Sequence, residues 1–444
     1  MAQPRRRAER RRAKRQARCV YYFLEDPSSV SRTNGFPPGK KMTCSALKKH
    51  VRNQKGTALL ATLALVSVLA AAALEIGRQV NVAALSAMQE KNRFMAQQMA
   101  LSGIHLAMFI LDRDVNDSST QMDSVQEDWA DPDFISRAVD QLGFDQGTLE
   151  LEISDELGKI QINALIEEFP GSLFNEDQRA LLERFFNLLI SADKSLDDRD
   201  AVEIINCIKD WLDSGDNDAI TGISGAESAY YQGLVPPVVC ASDSFDCVNT
   251  LFMVKGISKD ILKSKVMDFL DETEISGEVS GELSSEVSGE VSKEGSGAAN
   301  FYQPELSDFF TVYGMDDLPG PRGGYWFPGR VNINTAKPQI LAALLPVGME
   351  DQAEEMAGFR RHKTEDNGEF TNTLEKGWYE QVLDLSEKEK KAFERIIRYS
   401  SRFFTARSTA LVDKTRVSFR AVIKREKHSD TQKMICRLIT LSGN

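Results

Sequence analysis

The chain has 444 residues, 42% of them hydrophobic and 27% charged, and a net charge of −12. That length allows two or three domains with a sizeable core, and the mix excludes both a polytopic membrane protein and a wholly disordered chain. Residues 1–56 hold 16 Lys+Arg against three acids (Glu9, Glu25, Asp26), so the remaining residues carry a net −25. A body that acidic is a poor match for phosphate backbones, and no nucleic-acid partner is expected.

The N-terminal 56 residues read as a basic leader. RRRAERRRAKRQAR is a solvated cationic run, and Met42 opens a second, shorter leader, MTCSALKKHVRNQKG. Translation starts either at Met42 or at Met1, the latter giving a basic cytoplasmic tail suited to anionic lipid. Residues 57–74, TALLATLALVSVLAAAAL, carry no charge over 18 residues, close to the lower limit for a bilayer-spanning helix. Lys48, Lys49, Arg52 and Lys55 precede this run and Glu75 follows it. The positive-inside rule keeps the N-terminus cytoplasmic and sends the body across the membrane. From Glu75 to Leu111 there is no proline, and Val80, Ala84, Met88, Met95 and Met99 recur at helical spacing. The spacing predicts one helix over 57–111, a membrane span continued as an amphipathic stalk, with Gly77 and Gly103 as its weak points.

Further along, TLELEISDELGKIQIN (148–163) reads as a β-hairpin turning at Gly158. Helical patterns follow in NEDQRALLERFFNLLISA and DDRDAVEIINCIKDWLDS, with Asn175 and Ser195 as N-caps, and again from Phe245 to Leu270. Residues 272–300 repeat Ser, Gly and Glu without an aromatic residue and read as an acidic linker. Residues 331–363 read as a short strand and two helices. SRFFTARSTAL, TRVSFRAVIKRE and KMICRLITL then read as three strands. Strands, helices and strands again make an α+β domain with a helical insertion.

Asp213, Asp216 and Asp218 lie in a loop after the helix ending near Trp211, and Glu227 follows. Hard oxygen ligands in a loop suit Ca²⁺, although the spacing is not that of an EF-hand; a solvated acidic loop with Asp-capped turns is the other reading. Trp211, Tyr230 and Tyr231 are expected to pack around this loop. Cys240 and Cys247 sit seven apart, either as a local disulfide or as two free thiols. The four scattered His residues offer neither a His metal centre nor a triad, and no enzymatic activity is expected. LFMVKGIS (251–258) and LLPVGMED (345–352) look like helix-hairpin-helix units. They leave a membrane-tethered DNA-uptake protein as an alternative, which the acids at Glu350, Asp351, Glu354 and Glu355 oppose.

A basic leader ending in glycine before an apolar helix resembles type IV pilin-like proteins. In these a prepilin peptidase cuts after the glycine, here Gly56–Thr57, and the new amine is methylated. The fifth residue after that bond is Ala61, where most of these proteins carry glutamate; the recurrent exception is the tip subunit. GKIQINAL, DWLDSGDND, GAESAYYQ, LFMVKGISKDIL, TVYG and GRVNINTAKPQILAALL, in this order, resemble the type II secretion system minor pseudopilin K (general secretion pathway protein K) family. The resemblance implies a pilin-like α+β fold, its long N-terminal helix packed on an antiparallel sheet, with a large inserted α-helical domain of two SAM-like lobes. Its parts would be a leader at 1–56, the helix at 57–111, the α/β domain at 112–162 and 396–444, lobes at 163–271 and 301–395, and the linker at 272–300. It also implies a tip position on a periplasmic pseudopilus and single-pass insertion in the bacterial inner membrane. The implied partners are minor pseudopilins I and J, other pseudopilins and prepilin peptidase, with bound calcium in the insertion at Asp213, Asp216, Asp218 and Glu227.

Overall fold

The computed structural model describes residues 56–117, 122–192, 196, 199–215, 225–258, 305–317, 319–320, 322–364, 368–428 and 433–443. The basic segment before Gly56, the cap expected at Ser195, the linker expected at 272–300 and the calcium candidates Asp216 and Asp218 lie outside these residues.

The first helix, α1 (Thr57–Asp117), runs for 61 residues, or about 92 Å at 1.5 Å per residue. It extends six residues past the expected end at Leu111. Neither glycine interrupts it. Up to Lys91 every side chain is exposed, and among the described residues α1 is the helix long and apolar enough to cross a membrane. From Asn92 onwards one face turns inward. Ala96, Met99, Ala100, Ile104, Ala107, Ile110 and Leu111 are buried at three- and four-residue spacing.

That face rests on a four-stranded antiparallel sheet. After α2 (Pro132–Asp140), capped by Asp131, come β1 (Thr148–Asp155), β2 (Phe403–Val412), β3 (Thr415–Lys427) and β4 (Met434–Gly443). They lie side by side in that order. Phe404, Ala406, Ala410 and Val412 of β2 alternate onto the helix side, as do Val417, Ala421 and Ile423 of β3. Small residues on both surfaces bring the helix close to the sheet. At Gly103 a methyl group would overlap Ser408 Oγ and stand 3.1 Å from Ser408 Cβ. The glycine that looked like a weak point is thus a point of close helix–sheet approach.

The expected hairpin at 148–163 does not form. β1 pairs instead with β2, from Thr148↔Leu411 to Asp155↔Phe404. The strand stops because Asp155 and Glu156 turn their carboxylates onto other parts of the chain. Leu157 N donates to Asp155 Oδ1 at 2.7 Å, and Lys159 Nζ bonds Glu156 Oε1 at 2.6 Å. Ile160–Gln161 then pairs in parallel with Phe310–Thr311.

Everything between β1 and β2 is the insertion. It contains α3 (Glu176–Ala192), α4 (Ala201–Leu212), α5 (Ser228–Gln232), α6 (Pro338–Leu344), α7 (Gln352–Arg361) and α8 (Glu387–Ile396). The cap for α4 is Asp200, whose carboxylate accepts from Val202 N at 2.9 Å. The helix expected from Phe245 is a 3₁₀ turn, Val248–Met253, within the described residues. One hydrophobic core runs through the parts assigned to both lobes. Leu182, Phe185 and Phe186 of α3, Ile205, Ile208 and Trp211 of α4, and Ile340, Leu341 and Leu344 of α6 belong to it.

Candidate functional site

The acidic candidates gather at the C-terminal end of α4. Apolar spacing buries Ile204, Ile205, Ile208, Trp211 and Leu212, so the polar residues between them are carried inside as well. Lys209 and Asp210 are each 1% exposed, and Asp213 is fully buried. The helix ends at Asp213, whose backbone turns to an extended conformation while its N–H still reaches Lys209 O at 2.8 Å. Ser214 N then bonds Gly171 O at 3.1 Å, anchoring the exit.

One helical turn separates Lys209 from Asp213, and Lys209 Nζ meets Asp213 Oδ2 at 2.6 Å. Asp210 Oδ2 accepts from Ala226 N at 2.7 Å. That contact seats Glu227, which precedes the first residue of α5. Oxygens of Asp210, Asp213 and Glu227 lie within 4.8 Å of one another. Burial pushes the Asp213 carboxyl above its usual range, and the Lys209 hydrogen bond pulls it back. Asp213 Oδ1 is buried and accepts no hydrogen bond among the described residues. Three convergent carboxylates, one with an unused buried oxygen, form a donor set of the kind hard cations take.

Two of the four residues expected at the site, Asp213 and Glu227, are therefore brought together, while Asp216 and Asp218 are outside the described residues. Asp210 was missed as a member because it sits inside the helix rather than in the loop. Its spacing of three from Asp213 at a helix end was the available signal. Trp211 and Tyr231 pack edge to face at 4.9 Å beside the cluster, as expected, whereas Tyr230 stays 42% exposed. Cys240 and Cys247 are thiols rather than a disulfide. The Cys240 thiol turns inward onto the Asp210 and Trp211 carbonyls, 3.5 and 3.8 Å away, and burial raises it to about 11.

A second carboxylate cluster joins the pilin-like domain to itself. Asp114 at the end of α1 and Asp123 both bond the buried Arg425 of β3. Glu127 is held by Trp129 Nε1 at 2.7 Å. Burial lifts Asp123 to about 6 and Glu127 to about 8. Here the guanidinium already supplies the cation. Alongside, Asp155 Oδ2 accepts from Ser401 Oγ and Thr335 Oγ1, both at 2.6 Å, and from Asn332 Nδ2 at 2.9 Å. Glu156 accepts from Thr311 and Thr405 hydroxyls at 2.6 Å each. Two consecutive acids at the end of β1 therefore fasten the insertion to the sheet.

The bond read as a processing site, Gly56–Thr57, lies at the first turn of α1, exposed to solvent. Both helix-hairpin-helix-like turns carry a glycine at positive φ, Gly256 at 89° and Gly348 at 90°. In the second, the Gly348 N–H that would face a phosphate is taken by Glu350 Oε2 at 2.8 Å.

Residues 158–265 match the family model for type II secretion system (T2SS) protein K. The matched residues lie within the inserted segment. The match covers the whole described part of the carboxylate cluster. A type II secretion system protein K from Aeromonas hydrophila is 27% identical over 218 residues, which is 47% of this chain and 60% of that protein. The chain thus spans less than two thirds of the length of that relative. The fold also matches a chain in the crystal structure of the GspK-GspI-GspJ complex of the type 2 secretion system from enterotoxigenic Escherichia coli. The TM-score is 0.51 at 13% identity, covering 81% of this chain and 99% of that one. At that identity the likeness concerns the fold alone. The protein K resemblance read from the sequence strings and the α+β pilin-like fold both hold.

Proposed function

We propose that this protein is a minor pseudopilin of type II secretion, acting at the tip of the pseudopilus with minor pseudopilins I and J. The observation that carries the reading is the protein K match across 158–265, in the segment that interrupts the sheet between β1 and β2. The role is structural rather than catalytic. The apolar half of α1 anchors the chain in the inner membrane, with its N-terminus cytoplasmic and its body in the periplasm. Prepilin peptidase cuts at Gly56–Thr57, and the freed helix enters the fibre core. The insertion, fastened to the sheet by Asp155 and Glu156, widens the head so that no further subunit stacks above it.

Calcium belongs to this reading. Asp210, Asp213 and Glu227 would hold the ion, which would tie the end of α4 to the start of α5; no reaction is asked of it. The experiment is co-expression with minor pseudopilins I and J, followed by size-exclusion chromatography. A ternary complex of one copy each is expected. Elution of this protein apart from an I–J pair would refute the reading.

A further inference from the structure

Lys209 is the odd member of the carboxylate cluster. Its side chain is 1% exposed, and among the described residues its ion-pair partner is Asp213. Behind the ammonium lies an aromatic face, the Phe174 ring centroid 5.5 Å from Nζ. A buried lysine is uncommon, and a buried ammonium needs an anion close by. Here the anion is a carboxylate whose other oxygen, Asp213 Oδ1, is buried with no hydrogen bond among the described residues.

We infer that Lys209 is an internal counter-cation that competes with a divalent ion for the Asp213 carboxylate and so sets the affinity of the site. This rests on the calcium reading above. An ion bound to oxygens of Asp210, Asp213 and Glu227 at the usual 2.3–2.6 Å would stand only a few ångströms from Nζ. Two cations that close in a buried, weakly screened place repel strongly. The ammonium must therefore withdraw, or the ion must bind against it. In the ion's absence the same ammonium offsets the repulsion among three carboxylates whose oxygens lie within 4.8 Å of one another. The i, i+4 placement on one helix builds this pairing into the sequence: any folded α4 brings Lys209 and Asp213 together.

The test is calcium titration calorimetry on the full chain in detergent, stripped with chelator, comparing wild type with Lys209→Met and Lys209→Arg. Circular dichroism melts with and without calcium accompany it. Lys209→Met is expected to bind calcium at least about tenfold more tightly than wild type, since a full positive charge next to the ion is gone. Without calcium it should melt below wild type, and at saturating calcium it should recover to wild type or above. Lys209→Arg, which keeps the charge, should bind close to wild type. Equal affinity in Lys209→Met and wild type would overturn the inference while leaving calcium binding intact. Failure of every protein to bind calcium would overturn the calcium reading and this inference with it. If Lys209→Met stays unfolded even at saturating calcium, the lysine is a packing element only and the inference fails.

Discussion

Gly103 gives the sharpest test of the helix–sheet contact. A methyl group there would overlap Ser408 Oγ, 3.1 Å from Ser408 Cβ and 3.4 Å from Leu149 Cδ2. Overfilling a packed site costs about 1–3 kcal/mol. Against this, replacing glycine by alanine inside a helix gains about 1 kcal/mol. Gly103→Ala should therefore range from neutral to destabilising by about 2 kcal/mol. Ser408 is fully buried and its hydroxyl meets no partner among the described residues. Leaving such a group unsatisfied costs about 1–3 kcal/mol, so Ser408→Ala should be neutral or stabilising. With the hydroxyl removed the overlap is relieved, and the double variant should keep most of the helix gain. The double-mutant cycle should show a coupling of about 1–2 kcal/mol, read in urea titrations of the detergent-solubilised protein. In thermal melts that is a few degrees, at about 2–4 °C per kcal/mol for a domain of 150–250 residues. If Gly103→Ala stabilises outright and shows no coupling to Ser408, α1 does not lie against β2 at this point and the packing described is wrong.

Asp155→Ala removes an acceptor shared by Leu157 N, Asn332 Nδ2, Thr335 Oγ1 and Ser401 Oγ. Stranding those buried donors should cost about 3 kcal/mol or more, seen as a lower urea midpoint and as faster release of the insertion by limited proteolysis. Stability should also change with pH in a defined direction. Burial holds Asp123 at about 6 and Glu127 at about 8 in the folded protein, above their unfolded values. Their contribution is complete below the unfolded values and is lost as pH rises through the folded ones. The melting temperature should thus fall between pH 5 and 8.5, and Glu127→Gln should flatten the upper part of that fall; a rise over the same interval would contradict the buried cluster. Although burial pushes Glu156 up, Lys159 and Arg420 hold its carboxyl below the ordinary value. Its contribution is present above that value and lost as pH falls through the folded one, so strongly acidic conditions should destabilise the joint. Finally, Gly56→Leu should leave uncleaved precursor on an immunoblot when prepilin peptidase is co-expressed, whereas wild type is shortened.

The long helix, the last three strands and the helical character of the insertion were legible because each is written in local periodicity and composition. The 18 uncharged residues at 57–74 and the alternation in TRVSFRAVIKRE need no distant partner to be read. What failed was pairing. Residues 148–163 looked like a hairpin because apolar alternation continues past Gly158. Yet Ile160 and Ile162 are buried in the insertion core, and β1 finds β2 on the far side of the insertion. Nothing local distinguishes a strand that pairs with its neighbour from one that pairs with a distant segment. The site was half legible for a similar reason. Asp213 stands out beside a loop of acids. Asp210 and Lys209 read as an ordinary helix surface until the apolar residues around them are seen to bury the whole turn.

Assembly into a pseudopilus is tested most directly at the N-terminus of the protein recovered from membranes in the presence of prepilin peptidase, read by intact-mass and terminal-peptide mass spectrometry. A mature chain that begins at Thr57 with a methylated amine is expected. A cut near Ala73, or an uncleaved chain, would contradict it: α1 would then be an ordinary export signal or anchor, and the protein would have no route into a pseudopilus.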